Sequence, residues 1–258
     1  MQAKIKGIIF DVDGVLEYQG KVYPEVVRTI EALRDREIAV RLLANSTLKS
    51  RKSCAEKLRQ YGFPVYNDEV MTASHATTTY LKAKNPRSCW VMLEGEGLKE
   101  FQGFPKDMEN PEYIVVGDNR SKFDFEHLNK ALRLLLKGSA LIGMQSELTD
   151  TSLGKSELNV GSWVKMLELA SGMKATYIGK PSGYVFDLTL KTMGLGKNEI
   201  VMIGDQISTD IKGAKTFGIR SILIKTGEYE EKELDGCIAP DYLVDTISEV
   251  LDIVMRST

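Results

Sequence analysis

Two aspartates one residue apart follow an apolar run near the amino terminus, in Phe10-Asp11-Val12-Asp13-Gly14-Val15. A second acidic group, Gly204-Asp205-Gln206-Ile207-Ser208-Thr209-Asp210, follows the apolar run Ile200-Val201-Met202-Ile203. Carboxylates that converge without a counter-charge repel and raise each other's pKa. A hard divalent cation relieves that repulsion. Mg2+ takes oxygen ligands, keeps several waters and pairs with phosphate. Aspartates, metal and phosphate together point to phosphoryl transfer, with carboxylate attack giving an aspartyl-phosphate. Gly179-Lys180-Pro181 offers an ammonium to offset the charge of nucleophile and phosphoryl group. Ala44-Asn45-Ser46-Thr47 offers backbone N–H groups, the Asn45 amide and the Ser46 hydroxyl for phosphate oxygens.

Each piece also has a plainer reading. Asp-Val-Asp-Gly is a common solvated turn. Ser208, Thr209 or Asp210 would serve equally as a helix N-cap, satisfying orphan N–H groups. Ala44-Asn45-Ser46-Thr47 would likewise cap the helix that follows. An isolated lysine is ordinarily a surface charge. Position in the chain favours chemistry, because open parallel sheets bind ligands beyond the carboxyl ends of their strands. Gly14 permits the turn and close backbone approach such a site needs.

The flanking elements supply those strand ends. Residues 5–10 and 38–43 read as buried strands, and 24–36 and 49–61 as helices, the first opened by a proline. This is a βαβ unit with parallel strands and a right-handed crossover. In the last third, 183–193 and 209–217 read as helices, 200–203 and 221–225 as strands, and 241–255 as one amphipathic helix. The middle shows strands near 88–93, 113–116 and 139–143, helices near 126–137 and 161–171, and loops at 102–111 and 145–160. The expected fold is α/β: a Rossmann-like doubly wound parallel sheet from residues 1–70 and 178–258, interrupted by an inserted α/β domain at 71–177.

Composition narrows the function classes. The chain has 258 residues, 43% hydrophobic and 27% charged, which suits a globular protein with a full core. Its 34 Lys and Arg against 36 Asp and Glu argue against gripping nucleic acid or anionic lipid through bulk charge. No apolar run reaches the ~18 residues of a membrane span, and the first residues lack a signal-peptide pattern. The three cysteines, Cys54, Cys89 and Cys237, have no CxxC spacing, which suits a reducing compartment and no disulfide framework. The cytoplasm is the expected location.

Taken together and in this order, DVDGV, LLANST, GKP and GDQISTD resemble the motifs of the haloacid dehalogenase superfamily of aspartate-nucleophile phosphatases. The resemblance runs over nearly the whole chain. The middle resembles the inserted α/β cap of the nitrophenyl-phosphatase-like and pyridoxal-phosphate-phosphatase-like branch, through Tyr113–Gly117, Leu128–Leu136 with Ala140–Gly143, and Gly161-Ser162-Trp163-Val164. It implies Mg2+-dependent hydrolysis of small phosphate monoesters. Asp11 would be nucleophile and metal ligand. Asp13 would be the general acid and base, and its backbone carbonyl would bind the metal. Asp205 would be a further ligand, with Asp210 supporting the metal shell. Lys180 would pair with Asp11 and the phosphoryl group, and Gly14, Asn45 and Ser46 would position the substrate. The resemblance also extends to cap-mediated homodimers of the family. Specificity is expected in cap loops around Gln145-Ser146-Glu147 and 153–162.

One position departs from the family pattern. Ala44 stands where the family usually has Ser or Thr, and it cannot donate a hydrogen bond to phosphate. A lost donor at an anionic transition state costs ~2.7–4 kcal/mol. Ser46, Thr47 or a backbone N–H would have to replace it. Ala44 therefore motivates an alternative reading, a catalytically weak member that binds a phosphorylated ligand or a protein. A phosphorylatable signalling receiver also clusters acids at strand ends, but the long insert and the GKP–GDQISTD order disfavour it.

Other reactive residues read as structural. His75 and His127 sit in no metal-ligand pattern, and the methionines read as core filler. Gly95-Glu96-Gly97 lacks the spacing of a nucleotide loop and reads as a turn before a helix. The Lys- and Glu-rich stretch 225–233 reads as a solvated loop and helix start.

Overall fold

The computed structural model describes residues 3–151, 154–236 and 238–256. Cys237 and residues 152 and 153, the latter opening the second expected specificity loop, lie outside them. In chain order the first elements are β1 (Gly7–Asp11), the short ribbon β2 (Glu17–Tyr18) and β3 (Lys21–Val22), α1 (Pro24–Arg34), β4 (Ala39–Ala44), α2 (Arg51–Gln60), β5 (Val70–Thr72) and α3 (Ala73–Lys84). Then come β6 (Cys89–Met92), β7 (Tyr113–Val116), α4 (Phe125–Leu136), β8 (Ala140–Gly143), the ribbon β9 (Thr149–Asp150) and β10 (Glu157–Leu158), α5 (Val160–Ser171) and β11 (Thr176–Tyr177). The last are α6 (Gly183–Lys191), β12 (Ile200–Gly204), α7 (Lys212–Phe217), β13 (Arg220–Ile224), β14 (Tyr242–Val244) and α8 (Glu249–Arg256).

The described chain forms two compact units. One comprises residues up to Ala44, Ala55–Met71 and the chain from Lys180 onward; the other comprises Asn45–Cys54 and Thr72–Gly179. The first is built on a six-stranded sheet ordered β14-β13-β12-β1-β4-β5. β1 pairs in parallel with both β4 and β12, and β12, β13 and β14 continue in parallel. Strands buried on both faces of a parallel sheet read as continuous apolar runs. Gly-Ile-Ile-Phe-Asp and Ile-Val-Met-Ile-Gly are buried at every position. The fold is thus α/β with a parallel core sheet.

The second unit has its own parallel sheet, ordered β11-β8-β7-β6. Trp90, Ile114, Val116 and Leu141 from its strands pack with Leu134, Leu135, Val164 and Leu167 from α4 and α5. Those helices start at side-chain caps, the Asp124 carboxylate and the Asn159 amide oxygen accepting backbone N–H groups.

Three expectations change. The segment 241–255 is not one helix: Tyr242-Leu243-Val244 add an edge strand to β13, and helix resumes at Glu249. The helix expected from 209 opens with a wide π-type turn over Ile207–Ile211 before α7. β5 and α3 were not anticipated from the sequence at all.

Candidate active site

Four charged side chains meet inside the first unit. Asp11 ends β1, with Leu43 as its partner on β4, so Ala44 lies one step further along the neighbouring strand. On the other side β12 pairs Ile203 with Phe10, which brings the Gly204-Asp205 step level with Asp11. Asp210 sits in the π-type turn just beyond. Lys180 opens the segment that leads into α6, and its bond to Pro181 is cis. Lys180 Nζ lies 2.6 Å from Asp11 Oδ1 and 2.7 Å from Asp210 Oδ1. All four side chains are buried.

The charge in this cluster does not balance. Three carboxylates face one ammonium, and one oxygen from each of Asp11, Asp205 and Asp210 lies within 4.8 Å of the others. Burial pushes Asp11 well above the usual carboxylate range; Asp210 and Asp205 push the same way, and Lys180 only partly opposes them. Asp205 is raised by burial and by Asp210, against the N–H of Glu228 and the charge of Lys180. Burial disfavours the Lys180 ammonium, but Asp11 and Asp210 outweigh it and hold it above its ordinary value.

Asp205 provides a direct test of whether a cation fits here. Its Oδ2 accepts the backbone N–H of Glu228 at 2.7 Å. Its Oδ1 is buried with no hydrogen-bond partner. A buried carboxylate oxygen left unsatisfied is costly, and an oxygen-seeking divalent cation satisfies it. The donor set, all carboxylate oxygens, suits a hard metal.

Glycine is required beside this carboxylate. Gly14 has φ +88°, and a Cβ built on it falls 2.0 Å from Asp205 Oδ2. The turn at Gly14 is held by its N–H donating to the Glu17 carbonyl at 2.7 Å. Asp13 is exposed and forms an isolated bridge with Glu17. Glu17 in turn pairs with Lys57. Asp210 Oδ2 accepts the N–H of Gln206 at 3.2 Å, so this carboxylate braces its own loop while pairing with Lys180.

The structure therefore brings Asp11, Gly14, Lys180, Asp205 and Asp210 together, with Asp13 two residues along the chain from Asp11. Ala44 is buried at the end of β4. Asn45 and Ser46 belong to the second unit. There the Asn45 amide donates to Glu147 Oε2 at 3.0 Å, and the Thr47 hydroxyl oxygen accepts the N–H of Asp118 at 3.0 Å. His75 pairs with Glu100 and His127 with Asp124, while Cys54 and Cys89 are buried and in no disulfide. Sequence reasoning missed Thr226, Gly227 and Glu228, which surround Asp205 and Gly14. Only the Thr-Gly pair after an apolar strand hinted at a turn there.

Comparison with known proteins agrees with this geometry. Residues 8–104 match the haloacid dehalogenase-like hydrolase model, and residues 177–250 match a HAD-hydrolase-like model. A zebrafish (Danio rerio) phospholysine phosphohistidine inorganic pyrophosphate phosphatase is 30% identical over 98% of this chain and 95% of its own. The chain belongs to the haloacid dehalogenase-like hydrolase family. Human haloacid dehalogenase-like hydrolase domain-containing protein 2 is also 30% identical, over 98% of this chain and 96% of its own. The solved 4-nitrophenylphosphatase of Thermotoga maritima superposes with a TM-score of 0.90 at 28% identity, covering 97% of both chains. The family membership and the nitrophenyl-phosphatase-like branch read from the motifs both hold, and the chain is a hydrolase of the phosphatase type.

Proposed function

We propose that the protein is a Mg2+-dependent phosphatase of small phosphate monoesters that works through an aspartyl-phosphate on Asp11. The observation that carries this reading is the buried Asp11–Lys180–Asp210 cluster beside the unpartnered Oδ1 of Asp205. Asp11, Asp205 and the backbone carbonyl of Asp13 would hold the cation, with Asp210 in support. The bound metal would neutralise charge on the phosphoryl oxygens.

The chain's own residues supply the steps. A carboxylate oxygen of Asp11 attacks phosphorus in line with the leaving oxygen. The bond from phosphorus to that oxygen breaks as Asp13 donates its proton. Asp13, now a carboxylate, takes a proton from water, which attacks the same phosphorus. The bond to Asp11 breaks, giving inorganic phosphate and the free carboxylate. Lys180 holds Asp11 in place and offsets the charge that builds during both displacements. Asp13 suits proton exchange because its side chain is exposed to solvent beside the buried cluster.

In this reading the chain divides into a hydrolase core and an inserted cap at 71–177 that chooses the leaving group, with Asn45, Ser46 and the Gln145-Ser146-Glu147 loop as substrate contacts. The relatives are named for phospholysine, phosphohistidine, pyrophosphate and nitrophenyl phosphate, which supports a small phosphorylated substrate. Three cysteines without CxxC spacing support a reducing, cytoplasmic setting, and no described helix is long and apolar enough to cross a membrane. Exposed Met166 and Leu169 on α5 support a homodimer, which sedimentation would test.

The deciding experiment is a phosphomonoester panel with and without Mg2+, run beside Asp11→Asn. Mg2+-dependent release of phosphate by the wild type alone is expected. Turnover equal to that of Asp11→Asn on every substrate would overturn the reading.

A further inference from the structure

The segment Thr226-Gly227-Glu228 follows β13 and looks, by composition, like part of a charged surface loop. In the structure it wraps Asp205. The N–H of Glu228 donates to Asp205 Oδ2 at 2.7 Å. The Thr226 hydroxyl donates to the carbonyl of Gly14 at 2.6 Å. Gly227 has φ +59°, and a Cβ built there falls 2.2 Å from Asp205 Oδ2 and 2.4 Å from Gly14 Cα. The Glu228 carboxylate accepts from the Gln206 amide, whose oxygen accepts the Thr209 hydroxyl at 3.0 Å. The segment is thus tied at one end to the turn after β1 and at the other to the turn after β12.

We propose that Thr226-Gly227-Glu228 is a positioning clamp that makes Asp205 a one-oxygen ligand and so favours small octahedral cations over larger ones. The proposal rests on the cation reading given above. A carboxylate with both oxygens free can swing and bind a metal through both. Here Oδ2 is occupied by a backbone N–H, and only Oδ1 is left without a partner. Ca2+ accepts two-oxygen carboxylates and irregular geometry, whereas Mg2+ demands near-ideal octahedral placement. Fixing the carboxylate plane therefore selects against the larger ion. Gly227 is required because any side chain would displace the oxygen the clamp holds. Thr226 anchors the segment through Gly14 and touches neither the substrate nor the reacting atoms.

The test uses Mn2+ as an octahedral probe, followed by electron paramagnetic resonance, and Ca2+, followed by calorimetry, on the full chain without substrate. Thr226→Val and Gly227→Ala are expected to weaken Mn2+ by about 10-fold or more, the usual effect of losing a partner that orients a ligand. Ca2+ affinity should fall less, and Thr226→Ser should restore the wild-type ratio. Metal-free melting and circular dichroism identify any variant that is merely misfolded, and Thr226→Ala, which removes the hydroxyl without adding bulk, then carries the test with the same expected loss of Mn2+ over Ca2+. Asp205→Asn separates the two levels of the argument. If it binds Mn2+ as tightly as the wild type, the cation reading fails and the clamp with it. If Asp205→Asn loses Mn2+ while both clamp variants keep it, or if Mn2+ and Ca2+ weaken equally, the clamp alone is overturned.

Discussion

Lys180 and Asp11, far apart in the sequence, form a buried ion pair 2.6 Å long at the carboxyl end of an interior strand. β1 lies between β4 and β12, and the segment that leads into α6 brings Lys180 to the same strand end. Asp210 shares the same ammonium at 2.7 Å. Lys180 is therefore a single cation serving two acids, and the third, Asp205, leaves its buried Oδ1 without a hydrogen-bond partner.

Replacing Lys180 by methionine should damage both function and stability. Removing one partner from a buried charge pair typically costs about 3–5 kcal/mol. Loss of a preorganised charge at the transition state should lower kcat by ~100-fold or more. Urea melts and steady-state rates check this; a Lys180→Met enzyme with normal kcat would remove Lys180 from the mechanism.

Asp205→Asn should behave in the opposite way when metal is absent. The substitution removes a buried, repelled charge while keeping an oxygen for the Glu228 N–H. The metal-free melting point is expected to rise, by about 2–4 °C for each kcal/mol gained. The further rise produced by Mg2+ in the wild type should shrink, since that stabilisation depends on binding to the folded state. A variant that melts lower without metal, yet responds fully to Mg2+, contradicts the assignment of Asp205.

Ala44→Ser offers a gain-of-function test. Ala44 stands at the end of β4, one step beyond the partner of Asp11, where the family pattern has a hydroxyl. One transition-state donor is worth ~100–1000-fold in kcat, so even a poorly aimed serine should raise kcat about tenfold. No change on any substrate of the panel means that another donor already does this work.

The second unit carries a pH-dependent contact. Burial opposes ionisation of Glu100, but His75 and the N–H of Arg51 outweigh it and hold Glu100 below its ordinary value. The sign follows from linkage: a depressed folded pKa stabilises fully above the unfolded value of ~4.3, and the gain is lost as pH falls through the folded value. Glu100→Gln should therefore lower the melting point at pH 6–7, and the difference from wild type should shrink as pH falls below ~4.3 and through the lowered folded value. A difference that persists unchanged at pH 3 rules out this contact as its source.

The legible parts of the fold were those with strong periodicity. β1 and β12 are continuous apolar runs, β4 and β13 are apolar but for Arg41, Arg220 and Ser221, and α4 has a pronounced apolar stripe, so sequence and structure agree on them within a residue or two. α3 was invisible because, apart from Leu81, its buried face is made of Ala73, Ser74, Ala76, Thr77 and Thr78, small and mostly polar residues that leave no hydrophobic rhythm. β5 and β14 are three residues each, too short to show alternation. The joining of Tyr242–Val244 to the following helix in the sequence reading shows the same limit.

The acids and the lysine of the site were legible because side-chain chemistry is written in residue type. The clamp on Asp205 was not, because the backbone N–H of Glu228 has no signature in a string of letters. The tie between Asn45 and Glu147 was hidden for another reason. Both residues stand out in the sequence by type and position, but they are 102 positions apart and only the fold pairs them.

The place of β1 in the middle of its sheet has a consequence for how the protein is made. During synthesis this strand leaves the ribosome with one permanent neighbour, β4, still to come and the other, β12, nearly two hundred residues away. A truncated nascent chain lacking residues beyond Gly179 therefore carries Asp11 but neither Lys180 nor Asp205. Asp11 therefore gains its buried partners only once the chain has been made past residue 210, and a polypeptide cut short before that point carries the first acid without the full set of ammonium and two carboxylates that surround it in the finished fold.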